Sequence, residues 1–598
     1  MLRNSLDLLT EKEKWRLSIL LAGLLVVGLL QIVGVGSILP LLSVIADPEQ
    51  IREQVVVEFV SKYIEFSDTN SIVIFLAGMS LALIVISNFL SAITAYLSVR
   101  FVWSIQSRLS TELLTRYLSH PYEILLGMNP AEAEKNVIKE VEMFTGGVLR
   151  PFLRLLTSTV VAMLIVGFLI WFNPVMAGIT VVLLGGGYVV TFILVRRSLT
   201  TAGERRADSN EARFKTASEA IAGVKEIQIL GREQEFTNRF QTPSQYYARA
   251  TTLHSIISDI PRYMIEVLAF GSLLIVALYV AVTSGDLKDI APIISVYALA
   301  GYRLIPAMQR IYSDWSSLRF WGVIIPELHK VYVDGQEHRQ RSLVGDDEKL
   351  ELQSSIEISN LDYRYPDTST QVIAGMNLTI DRGQTVSFIG ETGSGKTTLM
   401  ELLIGVLRPS SGAISVNGIP LVDGNMRSWQ RSMGYVPQDI FLIDDSVQAN
   451  IAFGVPQSEI DIEAVRNAAR IANIDHFVMD EMPDQYDSIV GARGVRLSGG
   501  QRQRIGIARA MYHKPTVLFL DEATSNLDQE TEHLLHETLE RVSKDLTVII
   551  IAHRLRTTRS SDVIYVLEYG KVVGKGKYDD LVNADGNLRA EYSSQRPS

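Results

Sequence analysis

Apolar and charged positions are distributed differently in the two halves of the chain. Up to about residue 320, long runs without Asp, Glu, Lys or Arg alternate with charged stretches at helical period, whereas from about residue 340 charge and turn residues follow the rhythm of a soluble domain. Residues 17–46 and 71–99 are uncharged, and each is longer than the roughly 20 residues a spanning helix needs. Residues 155–195 are uncharged too, and Asn173-Pro174 splits them into two helices. With a fifth run extended back to 255 and a sixth from Ile290, the pattern predicts spans at about 17–46, 71–99, 152–173, 174–197, 255–284 and 290–318. The expected organisation is a membrane domain over 1–330, a linker over 331–349 and a soluble domain over 350–598.

Six spans place both ends of the chain on one side. The loop 47–70 has two basic residues against six acidic ones, while 196–252 carries ten basic residues, so the positive-inside rule puts both termini in the cytoplasm, as expected for a multi-pass protein of the inner membrane. The loop also holds Val56, Phe59, Val60, Tyr63 and Ile64 at helical spacing, predicting a short amphipathic outer helix. The first 16 residues read as an interfacial helix rather than a cleaved leader, because the apolar run that follows is too long for a signal peptide. Two excursions, about 100–150 and 196–255, read as helical extensions of the spans. Each has a place for a short transverse helix, at "SHPYEILLGMNPAEAE" and within "ADSNEARFKTASEAIAGVKEIQILGRE".

Composition narrows the choice. A net charge of −10 with no polybasic block gives no nucleic-acid footprint. The absence of cysteine excludes disulfides and thiolate metal sites.

The soluble half carries chemistry at fixed spacing. "VSFIGETGSGKTTLMELLIG" is an apolar strand, a glycine loop and an apolar-periodic helix. In it Gly390, Gly393, Ser394 and Gly395 let backbone N–H groups wrap phosphates at the helix start, Lys396 reaches the β- and γ-phosphates, and Thr397, with Thr398 beside it, offers a hydroxyl to Mg²⁺. "TVLFLDEATSNLD" is a buried strand ending in Asp521, placed to hold Mg²⁺, and Glu522, placed to orient or deprotonate an attacking water. Between these lies "LSGGQRQRIGIARA", where Ser498, Gly499, Gly500 and Gln501 open a helix with a second phosphate-facing nest. The predicted fold is thus an all-α membrane domain of six transmembrane helices with long cytoplasmic extensions, followed by an α/β P-loop NTPase.

With LSGGQ between a P-loop and an acidic pair, residues 350–598 resemble the ATP-binding-cassette (ABC) family, and six spans before one cassette resemble a half-size exporter. The resemblance implies that Tyr365 in "LDYRYP" stacks on adenine and that Gln438 in "YVPQDIF" senses Mg²⁺ and contacts the membrane domain. It also implies that Asp528 in "SNLD" belongs to the D-loop and that His553 in "IIIAHRL" contacts the γ-phosphate. One departure is "GARG", residues 491–494, where Ala492 replaces the usual acid and removes one contact between motor and transverse helix. In this family the signature of one copy faces the P-loop of another, so ATP and Mg²⁺ as cofactors and a homodimer as assembly are implied.

"ALAGYRLIPAMQRIYSD" in the last span places Arg303 and Arg310 seven residues apart on one helix face, roughly 20 and 30 Å from a start at Ile290. An arginine at membrane depth faces a cavity, a partner or an anion. One reading is an inner-leaflet anchor in which Arg310 pairs with Asp314 while Arg303 snorkels. The other is an anion-binding cavity wall, with Arg262 of the fifth span as an addition, suited to phosphate or pyrophosphate. The segment is also similar to the sixth span of bacterial flippases for lipid-linked oligosaccharides, which implies a polyprenyl-pyrophosphate cargo. Peptide, drug or other lipid cargo would use the same motor, and an ATP-gated channel shares the architecture.

Overall fold

The computed structural model describes residues 2–37, 69–172, 174–284, 287–342, 348–366, 368–521, 546–552 and 558–584. They form two compact units. One comprises Met1–Ser119 with Met128–Glu337, the other His120–Gly127 with His338–Ser598.

The first unit is helical throughout. A short helix α1 (Leu2–Asp7) precedes α2 (Glu11–Gly36), whose start is fixed by a capping box. The Glu13 N–H donates to Thr10 Oγ1 (3.3 Å) and the Thr10 N–H to Glu13 Oε2 (2.9 Å). Helix α3 (Thr69–Ser119) covers the second predicted span and its extension. The short α4 (Tyr122–Leu126) belongs to the second unit, and after it a helical run from Pro130 leads into α5 (Arg150–Phe172). Then come α6 (Pro174–Ala222), the short α7 (Val224–Ile229), α8 (Glu233–Ser284), α9 (Leu287–Trp321) and α10 (Ile325–Ser342). Asn70–Ser119 and Pro130–Trp171 are long and apolar enough to cross a membrane. Long helices lie over all six predicted spans, and α4 and α7 fall within the two stretches expected to hold transverse helices. The outer-loop helix expected near Val56 lies outside the described residues.

Sequence periodicity did not anticipate the run between α4 and α5. Lys135–Glu140 and Thr145–Leu149 are π-helical turns inside it, which shift the faces presented on either side. They accompany tight packing between neighbouring helices. A Cβ on Gly147 would stand 2.4 Å from the Trp321 ring, and one on Gly203 would stand 2.4 Å from the Phe320 carbonyl oxygen. Arg206 is fully buried there, stacked over Trp321 at 4.5 Å with Nη1 against Met143 Sδ at 2.7 Å.

In the second unit, β1 (Ser355–Tyr363), β2 (Ile373–Asp381), β4 (Ser411–Val416) and β5 (Ile419–Pro420) form an antiparallel sheet in the order β2-β1-β4-β5. A second sheet runs β10-β9-β3-β8-β7-β6, from β3 (Thr385–Ile389), β6 (Met433–Val436), β7 (Val517–Asp521), β8 (Thr547–Ile551), β9 (Val563–Glu568) and β10 (Lys571–Gly576). Its strands are parallel except β10. Because side chains alternate across a strand, β7 sends Val517 and Phe519 into one core and Leu518 and Leu520 into the other. The P-loop helix α11 (Lys396–Ile404) packs in the first core and the signature helix α12 (Gly499–Tyr512) in the second, on opposite faces of the sheet.

Candidate nucleotide and cargo sites

The parallel register brings the phosphate-binding elements to one edge. Phe388 of β3 and Asp521 of β7 both pair with Ile551 of β8, and Val436 of β6 pairs with Leu520. The P-loop therefore leaves the same sheet edge at which Asp521 ends β7 and beyond which Gln438 follows β6. This is where ligands bind in open α/β sheets. Glu522 and His553, next after β7 and β8, lie outside the described residues, as does Asp528.

The loop itself is a glycine construction. Gly390, Gly393 and Gly395 have φ of +152°, +86° and +99°. A Cβ on Gly390 would lie 2.2 Å from the Leu567 carbonyl oxygen, whereas one on Gly393 would meet nothing within 4 Å. Gly390 thus lets the backbone pass β9, and Gly393 keeps an open approach to the N–H groups. The Lys396 ammonium donates to the carbonyls of Gly390 and Glu391, each at 2.8 Å, and so lies along the loop. Thr397 is exposed, Thr398 is buried, and the buried Ser394 Oγ has no hydrogen-bond partner. Converging amides, an ammonium and an orphaned hydroxyl fit a polyphosphate.

Tyr365 walls this loop. Its hydroxyl lies 3.1 Å from Thr398 Oγ1, and its ring meets Tyr363 edge-on at 5.0 Å. Burial, and then the negative charge of Asp521, push the Glu401 carboxyl on α11 above its ordinary range. Asp521 ends β7 on the edge where the exposed Thr397 hydroxyl opens the P-loop helix and Gln438 follows β6, and these are the groups that would hold a divalent cation beside the phosphates. The chemistry such a cation would supply there is neutralisation of the charge that develops on the phosphates. Among the described residues no cluster of three acidic or histidine side chains forms a metal site by itself.

Ser498 and Gln501 close a capping box at the start of α12. The Gln501 N–H donates to Ser498 Oγ (3.2 Å) and the Ser498 N–H to Gln501 Oε1 (2.8 Å). The amides of Gly499 and Gly500 are left as the open donors of that helix end. Further along α12, Arg509 donates to the carbonyls of Phe441 and Asn450, each at 2.8 Å, which ties the segment after Gln438 to the signature helix. Ala492 is exposed in a 3-10 turn.

Sequence reading did not find Glu123. Its Oε1 on α4 accepts from the Tyr363 hydroxyl (3.3 Å) and the Arg408 N–H (3.1 Å), so the transverse helix is pinned to the ATP-binding unit by a single carboxylate. Burial, and then Glu123 itself, raise the Tyr363 hydroxyl above its ordinary value, which keeps it a donor. The one advance signal was a lone acid within an otherwise apolar "YEILL" turn.

In the membrane unit, Asp314 is buried and pairs with Arg154 of α5, Nη2 to Oδ1 at 2.6 Å. The intrahelical pair Arg310–Asp314 expected under the anchor reading is not what forms, because Arg154 holds Asp314 from the neighbouring helix. Arg310 is exposed and Arg303 half-buried, and neither makes a hydrogen bond or ion pair among the described residues. Arg262 is exposed and pairs with Glu266 at 3.2 Å, so its charge is partly answered one turn away.

A P-loop motor whose nucleotide edge is built at the end of a parallel sheet, in a chain that also carries a long-helix membrane unit, defines an ATP-driven membrane machine. A family model described as ABC transporter matches residues 373–525, and one described as ABC transporter transmembrane region matches 17–298. The chain is 30% identical over 545 residues to the leukotoxin translocation ATP-binding protein LktB of Pasteurella haemolytica-like sp. (strain 5943B), covering 90% of this chain and 74% of that protein. It is 32% identical over 393 residues to the ATP-dependent lipid A-core flippase of Alkalilimnicola ehrlichii, covering 63% of each. A solved bacterial Atm1-family ABC exporter with ATP bound has the same fold at 22% identity and a TM-score of 0.76, covering 97% of this chain and 99% of that one. The chain belongs to the ABC transporter family and is an exporter-type half-transporter, hydrolysing ATP to drive transport across a membrane.

Proposed function

We propose that two copies of this chain form a homodimer in the cytoplasmic membrane, with termini and motors in the cytoplasm, and flip a lipid whose head carries pyrophosphate, of the polyprenyl-linked oligosaccharide type. Dimerisation is supported by the placement of α11 and α12 on opposite faces of one sheet, which leaves the signature helix away from its own P-loop. In that assembly Lys396 and the loop amides hold the phosphates, Thr397 and Asp521 hold Mg²⁺, Tyr365 stacks on adenine, and Ser498, Gly499, Gly500 and Gln501 of the facing copy complete the site. Glu522 takes the proton of the attacking water, while His553 and Asp528 order the γ-phosphate side. Closing and reopening of the motors moves α4 and α7, and the spans re-face their cavity.

The observation that carries the cargo reading is the Arg154–Asp314 pair. With Asp314 held from α5, the guanidinium of Arg310 is left for an external anion, and Arg303 lies two turns deeper on the same face. The flippase relative supports a lipid cargo. A second reading, export of a polypeptide, is favoured by the toxin-translocating relative that aligns over 90% of this chain.

Flipping of a labelled polyprenyl-pyrophosphate oligosaccharide in proteoliposomes tests the proposal, comparing the intact chain with Arg303→Ala, Arg310→Ala and Glu522→Gln. The expected result is ATP-dependent flipping that all three changes abolish, with basal ATPase surviving only in the arginine variants. ATPase without lipid movement in the intact chain overturns the cargo reading and leaves the polypeptide as the next candidate.

A further inference from the structure

A cavity of about 420 Å³ lies in the membrane unit where α3, the π-helical run before α5, and the residues Tyr247 and Trp321 meet. Its volume falls in the range of small-ligand sites, roughly 300–1,000 Å³. The cavity is built rather than incidental. Thr145, fully buried in the second π turn, brings its hydroxyl within hydrogen-bond distance of Gln106 Oε1 (3.0 Å) and of the carbonyls of Val141 (3.0 Å) and Glu142 (3.2 Å), which holds the Gln106 amide against the π turn at the cavity it lines. Gly147 admits the Trp321 ring as a wall, since a Cβ there would overlap it. Arg150 on the rim makes no hydrogen bond or ion pair among the described residues, although its charge acts on buried Asp314, while Lys139 is answered by Glu142 at 2.9 Å, so the lining itself carries two cations and one anion. Trp103 on α3 lines the same cavity and is 58% exposed.

Depth selects the ligand. Gln106 and Trp103 lie past the predicted span end at 99, roughly 5–10 Å along the helix axis. Arg150 and Trp321 are within a turn of the ends predicted at 152 and 318. That depth is the cytoplasmic headgroup layer, roughly 5–8 Å thick beyond the hydrocarbon, where tryptophans and basic side chains collect. We propose that this cavity is a binding site for the phosphodiester headgroup of a cytoplasmic-leaflet phospholipid, held by Arg150 and the Gln106 amide, with the acyl chains leaving past Trp103. This rests on the membrane assignment and the span ends, not on the transported cargo. The ligand is a resident lipid that steadies the π-turn region, at residues other than Arg303 and Arg310.

The test uses the purified full chain in detergent with three probes: dioctanoyl phosphatidylglycerol, sn-glycerol 3-phosphate, and neutral dioctanoylglycerol. Binding is read by native mass spectrometry and by tryptophan fluorescence. The phosphatidylglycerol should bind, and Arg150→Gln and Gln106→Leu should each weaken it about tenfold, the size of a lost charged or aimed hydrogen bond. Thr145→Val, which removes the hydroxyl shared by Gln106 and the carbonyls of Val141 and Glu142 but no group aimed at the headgroup, should weaken it less, and Arg205→Gln, an exposed charge outside the cavity, should leave it unchanged. Melting temperatures matching the unaltered chain exclude misfolding as the cause. Equal binding of glycerol 3-phosphate and the lipid overturns the lipid assignment, and retention of lipid affinity in Arg150→Gln and Gln106→Leu overturns the site. Loss of cargo flipping with this binding intact bears on the transport proposal alone.

Discussion

The two units place charge by opposite rules. In the ATP-binding unit the charged and polar groups that matter stand at the rim of a sheet whose strands are apolar on both faces, and each is delivered by a short contiguous stretch: Lys396 after β3, Asp521 at the end of β7, Gln438 after β6. In the membrane unit the decisive charges sit between helices, and their partners are far apart in the chain. Arg154 and Asp314 are 160 residues apart, and buried Arg206 is held by Met143 and the ring of Trp321. A motor can be specified by local motifs because the parallel sheet converts sequence order into a common edge. A cargo path is specified by which helix answers which charge.

That contrast predicts separable effects. The largest is in the motor: Glu522→Gln should lower ATP turnover about 10²–10⁴-fold with nucleotide binding retained, as expected for loss of a general base and measurable by phosphate release. Next is Arg154→Ala, which strands buried Asp314. It should cost about 1–3 kcal/mol of unfolding stability in detergent, at the lower end if Arg310 swings to Asp314, and in that case cargo flipping should also fall. Glu123→Ala removes the acceptor of the Tyr363 hydroxyl and should cost about 1 kcal/mol. More tellingly, it should lower cargo moved per ATP while basal hydrolysis continues, which a transport-to-hydrolysis ratio reads directly.

The smallest effect is a pH dependence confined to the motor. Burial, and then the Lys349 ammonium, hold His513 at the end of α12 below the ordinary histidine value. The folded state therefore binds its proton less readily than the unfolded one. Its contribution is fully present above about pH 6.5 and is lost as the pH falls below that, while the unfolded histidine protonates. His513→Gln should flatten that part of the thermal-stability profile.

The sequence was legible where periodicity and spacing are local. The P-loop, the strand into Asp521 and the signature helix stand where their patterns put them, and short helices, α4 and α7, fall within the two stretches expected to hold transverse helices. Ser498 and Gln501 were readable as a phosphate-facing nest, yet an S-x-x-Q spacing also encodes the capping box that occupies both side chains. Under the anchor reading Asp314 pairs with Arg310, because i,i+4 is the partner a linear reading offers. The true partner, Arg154, looked like the flank of a span. The π turns at Lys135–Glu140 and Thr145–Leu149 were invisible for the same kind of reason, since the inserted residue breaks the 3.6 period with no marker at all in the first, and in the second Gly146-Gly147 reads equally well as close helix packing.

The decisive measurement compares Arg310→Ala with Lys396→Ala in proteoliposomes, recording basal ATPase and flipping of the pyrophosphate-linked lipid in the same preparation. If the membrane charges serve cargo and the sheet-edge charges serve hydrolysis, Arg310→Ala loses flipping and keeps its ATPase, while Lys396→Ala loses both. Flipping that survives Arg310→Ala undiminished, or ATPase that falls with it as far as in Lys396→Ala, contradicts that division.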